Sequence, residues 1–226
     1  MSQSPQKTIT NTWSNDVSQH PDRRAEDRMK TLFRVARVIC AGDEGLARIT
    51  NMSDRGAGLR TEIQVNLSDI LIVELVEGVE LCGHVVWTKD KEFGLQFDQP
   101  ISSTDLLAAL AVGAQVGITR AVRLPVATTA VTHCANGLRN LRVIDISQRG
   151  LKLMNDGSLI KDLDMKVTLP GGLTAQGTVR WTRGDHAGVM LLEPFSVEAL
   201  GSARALLGSA QTNTPSAPKG KELPPT

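Results

Sequence analysis

Tyrosine is absent from this chain of 226 residues, and aromatic residues together make up only 3% of it. Proteins that hold single-stranded nucleic acid stack successive bases on aromatic faces, so the composition argues against that class. One-sided charge is missing as well: 25 Lys and Arg stand against 24 Asp and Glu. This balance argues against a broad electrostatic footprint for DNA or RNA, although a local arginine cluster could still serve a small anion. No apolar run approaches the ~18 residues of a membrane span. The opening Met1-Ser-Gln-Ser-Pro-Gln-Lys lacks the apolar centre of a signal peptide, so a soluble, cytoplasmic protein is expected. The three cysteines, Cys40, Cys82 and Cys134, form no Cys-x-x-Cys pair. They read as small apolar strand residues in a reducing compartment. His20, His84, His133 and His186 show no metal-ligand spacing, no paired carboxylates suggest acid–base work, and no glycine-rich phosphate loop occurs. No enzyme, metal or cofactor is expected.

What the chain does contain is a repeat. Asn51-Met52-Ser53-Asp54-Arg55-Gly56 returns as Asp145-Ile146-Ser147-Gln148-Arg149-Gly150, an offset of 145 − 51 = 94 residues. Residues 47–100 laid over 141–194 without a gap share fourteen identities, among them Ser53, Gly56, Gly83, Val85, Trp87 and Gly94 with their partners. The repeat predicts a duplicated unit. Each copy reads as six short strands punctuated by turns such as Glu77-Gly78 and Gly171-Gly172, followed by a helix opening near Ser102 or Ser196. Six strands of this kind suit a small antiparallel barrel, because closure removes exposed edges. Alternation within Val79–Thr88 places Gly83, Val85 and Trp87 on one face. The expected organisation is a disordered segment at 1–21, a first barrel with its helix at 22–114, a second at 115–208, and a disordered tail at 209–226.

Two groups of residues could carry chemistry. Arg24 and Arg28 are spaced Arg-x-x-x-Arg, with Arg23 beside them. A guanidinium is permanently charged, donates in a fork that fits phosphate, and stacks on purines. Asn51 offers donors and acceptors suited to a base edge, Ser53 offers a hydroxyl, and Gly56 admits positive φ and close approach. The competing reading of the hexapeptide is a polar turn whose Asn and Ser bond their own backbone.

Together, Arg24-x-x-x-Arg28 and Asn51-x-Ser53-x-x-Gly56, followed by strands and a helix, resemble the PilZ domain family. The resemblance implies an all-β fold of two tandem six-stranded antiparallel PilZ-like barrels, each followed by a short C-terminal helix. It implies cyclic di-GMP as ligand, phosphates held by the arginines and guanine edges read by Asn51, Ser53 and Gly56. A change of conformation would then be relayed to a downstream protein effector, without nucleic acid. The second unit keeps Asp145, Ser147 and Gly150, but its arginines, Arg120 and Arg123, are spaced Arg-x-x-Arg. Loss of one bidentate contact costs ~2–3 kcal/mol, about fiftyfold in affinity, so this unit is expected to bind weakly or not at all. The alternative for the whole chain is a tandem PilZ scaffold that binds no ligand and serves protein–protein interaction.

Overall fold

The computed structural model describes residues 34–117 and 120–207. The segments 1–21 and 209–226, expected to be disordered, and the arginines Arg23, Arg24 and Arg28 lie outside the described residues.

Twelve strands among the described residues form two closed antiparallel barrels. The first comprises β1 (Arg34–Cys40), β2 (Asp43–Ser53), β3 (Gly56–Thr61), β4 (Ile70–Val76), β5 (Val79–Lys89) and β6 (Glu92–Phe97), closed in the order β1-β2-β3-β6-β5-β4. Helix α1 (Ser103–Gln115) follows. The second comprises β7 (Leu124–Cys134), β8 (Gly137–Ser147), β9 (Gly150–Met154), β10 (Asp164–Thr168), β11 (Thr174–Arg183) and β12 (His186–Leu191), closed in the same circular order. A 3-10 turn (Glu198–Leu200) and the short helix α2 (Ala203–Leu206) end it, where one continuous helix was expected.

Strand alternation fills each barrel. Ala36, Val38 and Cys40 of β1, Leu71, Val73 and Leu75 of β4, and Phe93, Leu95 and Phe97 of β6 point inward and are buried. Ser102 caps α1 by accepting from Asp105 N, and the helix lays Leu107 and Leu110 on this core. Ala111 of the same helix is exposed.

Bulges modify this alternation at matching places. The register shifts between Ile49 and Asn51, and between Val85 and Trp87. It shifts at the equivalent pairs Val143/Asp145 and Val179/Trp181. An extra residue reverses the facing of everything beyond it. Ile49 therefore points inward, while Asn51, two residues on, is carried outside and Met52 turns in. Trp87 is likewise 44% exposed although Val85 is buried. This corrects the expectation that Gly83, Val85 and Trp87 share a face: the inserted Val86 separates them.

Candidate functional site

The two bulges bring four residues into one row across the outside of the first barrel. Asn51 pairs with Gly58, Gly58 with Gly94, and Gly94 with Trp87. The two central positions are glycines, each buried under the side chain of the end residue next to it. A Cβ on Gly94 would lie 2.0 Å from Trp87 Nε1, so the indole rests directly on the glycine backbone. A Cβ on Gly58 would lie 2.6 Å from Asn51 Nδ2 and 2.8 Å from Thr50 Oγ1, so the Asn51 amide rests on that one. The result is a flat strip with a donor–acceptor amide at one end and an aromatic surface at the other. Planar rings stack on such surfaces.

The hexapeptide itself is the end of β2, a two-residue turn at Asp54-Arg55, and the start of β3. Ser53 Oγ donates to the Gly56 carbonyl at 3.3 Å, and Ser147 Oγ does the same to Gly150. Part of the polar-turn reading therefore holds, together with an outward-facing Asn51. Gly56 does not adopt positive φ, contrary to expectation. Its requirement is steric, since a Cβ would lie 2.3 Å from the Leu95 carbonyl oxygen of β6.

Asp54 ties this turn to α1. Its carboxylate accepts from Ser103 N at 2.9 Å and Ser103 Oγ at 2.6 Å. The hydroxyl bond, then the amide bond, hold the carboxyl below the ordinary aspartate value. A backbone bond is common to both barrels, from Ile101 N to the Asp54 carbonyl at 2.9 Å and from Phe195 N to the Gln148 carbonyl at 2.8 Å, and in the second barrel Gln148 Nε2 also donates to the Phe195 carbonyl at 3.1 Å.

In the second barrel Arg120, Arg123, Asp145 and Ser147 converge on one cavity of about 630 Å³, with Gly150 buried behind Ser147. Arg123 Nη1 sits 2.5 Å from Asp145 Oδ1. Arg120 is anchored to the first barrel, where its carbonyl accepts from Glu77 N at 3.1 Å and its guanidinium lies 3.9 Å from the Glu77 carboxylate. The row here reads Asp145, Lys152, Gly188, Trp181. Trp181 still rests on Gly188, but Lys152 replaces Gly58.

Sequence reasoning missed Gly58, Gly94 and Trp87 as parts of one surface, and Lys152 as their disruption. The available signal was the seven-residue interval from Trp87 to Gly94, which recurs from Trp181 to Gly188.

Two six-stranded closed barrels in tandem, each presenting an (Asn/Asp)-x-Ser-x-x-Gly turn beside a tryptophan, define the class. The PilZ domain family model matches the chain twice, over residues 22–112 and 118–207, and the chain belongs to that family. Among solved structures it is similar to the PlzA protein of Borreliella burgdorferi in complex with c-di-GMP, with 11% identity, 74% of this chain and 88% of that chain covered, and a TM-score of 0.34. It is similar to the Bacillus subtilis inhibitor of motility MotI/DgrA, with 12% identity, 76% and 91% coverage and a TM-score of 0.27. It is also similar to YcgR of Escherichia coli in complex with c-di-GMP, with 11% identity, 77% and 80% coverage and a TM-score of 0.26. No curated protein matches this chain. Among the described residues no helix is long and apolar enough to cross a membrane.

Proposed function

We propose that this chain is a cytoplasmic receptor for cyclic di-GMP, with domains at 22–114 and 115–208, and that the first barrel holds the ligand. Arg24 and Arg28, with Arg23 assisting, bind its phosphates and stack on its guanines. Asn51 and Ser53 meet the guanine edges, Gly56 permits the close strand packing behind them, and Trp87 supports a ring. No bond is made or broken.

The observation that carries this reading is the glycine-floored strip from Asn51 to Trp87, whose Asn51 end lies near the first residue of β1. Strand β1 begins at Arg34, which pairs with Ile49, two residues from Asn51. Arg28 stands 34 − 28 = 6 residues upstream, a length that spans at most about 20 Å. The arm can therefore reach the strip.

Calorimetry of the full-length chain with cyclic di-GMP tests the proposal. The expected result is a Kd of about 1 µM or tighter, weakened about fiftyfold by Arg28→Ala. Absence of binding to the intact chain would overturn it.

Ligand capture by the arginine arm alters the surface offered to a protein partner. One feature favours a partner on either the receptor or the scaffold reading. Leu67, Ile70 and Val86 are exposed at 62%, 74% and 44% beside and on the outer face of β4 and β5. The equivalent positions of the second barrel are Lys161, Asp164 and Arg180. A pure scaffold would keep its partner in Arg28→Ala without responding to nucleotide, whereas a receptor loses the response.

A further inference from the structure

The cavity of the second barrel carries different charges from the matching surface of the first. At the 94-residue offset Gly58 becomes Lys152, Glu92 becomes His186, Lys89 becomes Arg183 and Asn51 becomes Asp145. One cation is gained and one kept, one anion is lost, and the one anion gained, Asp145, is paired with Arg123. The carboxylates of the cavity are already engaged, Asp145 with Arg123 and Glu77 with Arg120, and His186 has Asp185 at 2.7 Å. Lys152 and Arg183 form no ion pair among the described residues, and Lys152 is half-buried. Two cations on one cavity wall, neither with a carboxylate within ion-pair distance among the described residues, attract an incoming anion. Trp181 forms a further wall. One side of its indole packs on Gly188, and the ring remains 41% exposed, enough to receive a planar base.

We propose that this cavity binds a phosphate-bearing anion of mononucleotide size, with the phosphate held by Lys152 and Arg183 and Trp181 beside it to accept the base. The volume of about 630 Å³ suits a small molecule. Cyclic di-GMP is not the ligand here. Its two phosphates call for two free forks, but Arg123 is committed to Asp145, and Lys152 adds a side chain where the first barrel has Gly58. This site is separate from that of the first barrel, and either can fail without the other.

The test is calorimetry of the full-length chain at low salt with GMP, AMP and inorganic phosphate in separate titrations. One equivalent of mononucleotide is expected to bind with a submillimolar Kd. Lys152→Gln and Arg183→Gln should each weaken it at least tenfold, Lys152→Arg should retain it, and the charge-matched Arg142→Gln, on the exposed side of β8, should leave it unchanged. Thermal melts check that each variant is folded. Inorganic phosphate binding as tightly as GMP, with the same dependence on Lys152, supports the anion site and names free phosphate as its source. Tighter binding of GMP and AMP assigns the base to Trp181. The proposal is overturned if none of the three binds, if Lys152→Gln binds as the parent does, or if cyclic di-GMP gives a second equivalent that is lost in Lys152→Gln.

Discussion

Two glycines decide whether the outside of the first barrel is a strip or a bumpy surface. Gly58 and Gly94 face each other across β3 and β6, and a Cβ on either would strike the side chain that now lies over it. The second barrel shows what happens when one is replaced: Lys152 occupies the position of Gly58 while the strands keep their pairing with β12. A lysine is thus compatible with the fold and incompatible with the flat strip. Gly58→Lys should lower cyclic di-GMP affinity at least tenfold while shifting the melting temperature little, read by calorimetry alongside a thermal melt. Gly56→Ala should behave in the opposite way. Its Cβ would meet the Leu95 carbonyl oxygen, which is backbone and cannot swing aside. A cost of about 1–3 kcal/mol in stability is expected, measured by chemical denaturation.

At the scale of strands and turns, the sequence announced most of the elements and none of the bulges. Runs such as Ile70–Val76 are apolar and β-branched, so strand propensity and turn chemistry agree and the strand is readable. A bulge, by contrast, is a mismatch in count between two paired strands, and the partner's register is a tertiary fact. Trp87 therefore read as sharing a face with Val85, and Asn51 could not be assigned a direction. The hexapeptide was readable because its residues recur at a fixed offset. Its mechanical link to α1 was not, because Ser103 lies 49 residues beyond Asp54. That link has a testable pH signature. The Asp54 carboxyl is held below its ordinary value of 3.8 by Ser103, so the tie is fully present above pH 3.8 and is lost as pH falls through the lower folded value. NMR titration of the Asp54 side chain should give a midpoint below 3.8 that rises toward it in Ser103→Ala, with no change between pH 5 and 8.

For the molecule as a whole, the question is whether two barrels from one repeat behave as two bodies. Leu46 belongs to β2 of the first barrel, yet it points outward, is 1% exposed and lies in the hydrophobic cluster of the second; Val35 packs against the same cluster. Polar contacts surround this seam. Asp43 accepts from Ser202 Oγ at 2.7 Å and from Arg204 N at 3.0 Å, and Arg48 Nε donates to Glu198 Oε1 at 3.0 Å. The Arg48 bond is the largest cause that lowers the Glu198 carboxyl to about 2, so this clamp is intact above the ordinary value of 4.5 and weakens only as pH falls toward 2. At the centre, Gly45 meets Gly201 so closely that a Cβ on Gly45 would lie 1.9 Å from the Gly201 carbonyl oxygen. Both partners there are backbone, so nothing can rotate away. The seam thus combines buried apolar contact with a backbone approach that only glycine allows, and the barrels should unfold together in a single calorimetric transition. Leu46→Ala should lower that transition as one peak, with a cost of about 2–5 kcal/mol, because the cavity opens in a core shared by both units. Gly45→Ala should instead split it into two, because the added methyl separates the barrels while leaving each barrel's own strands paired. Two transitions in the unaltered chain, or a Leu46→Ala effect confined to one of them, would mean that the barrels are independent bodies.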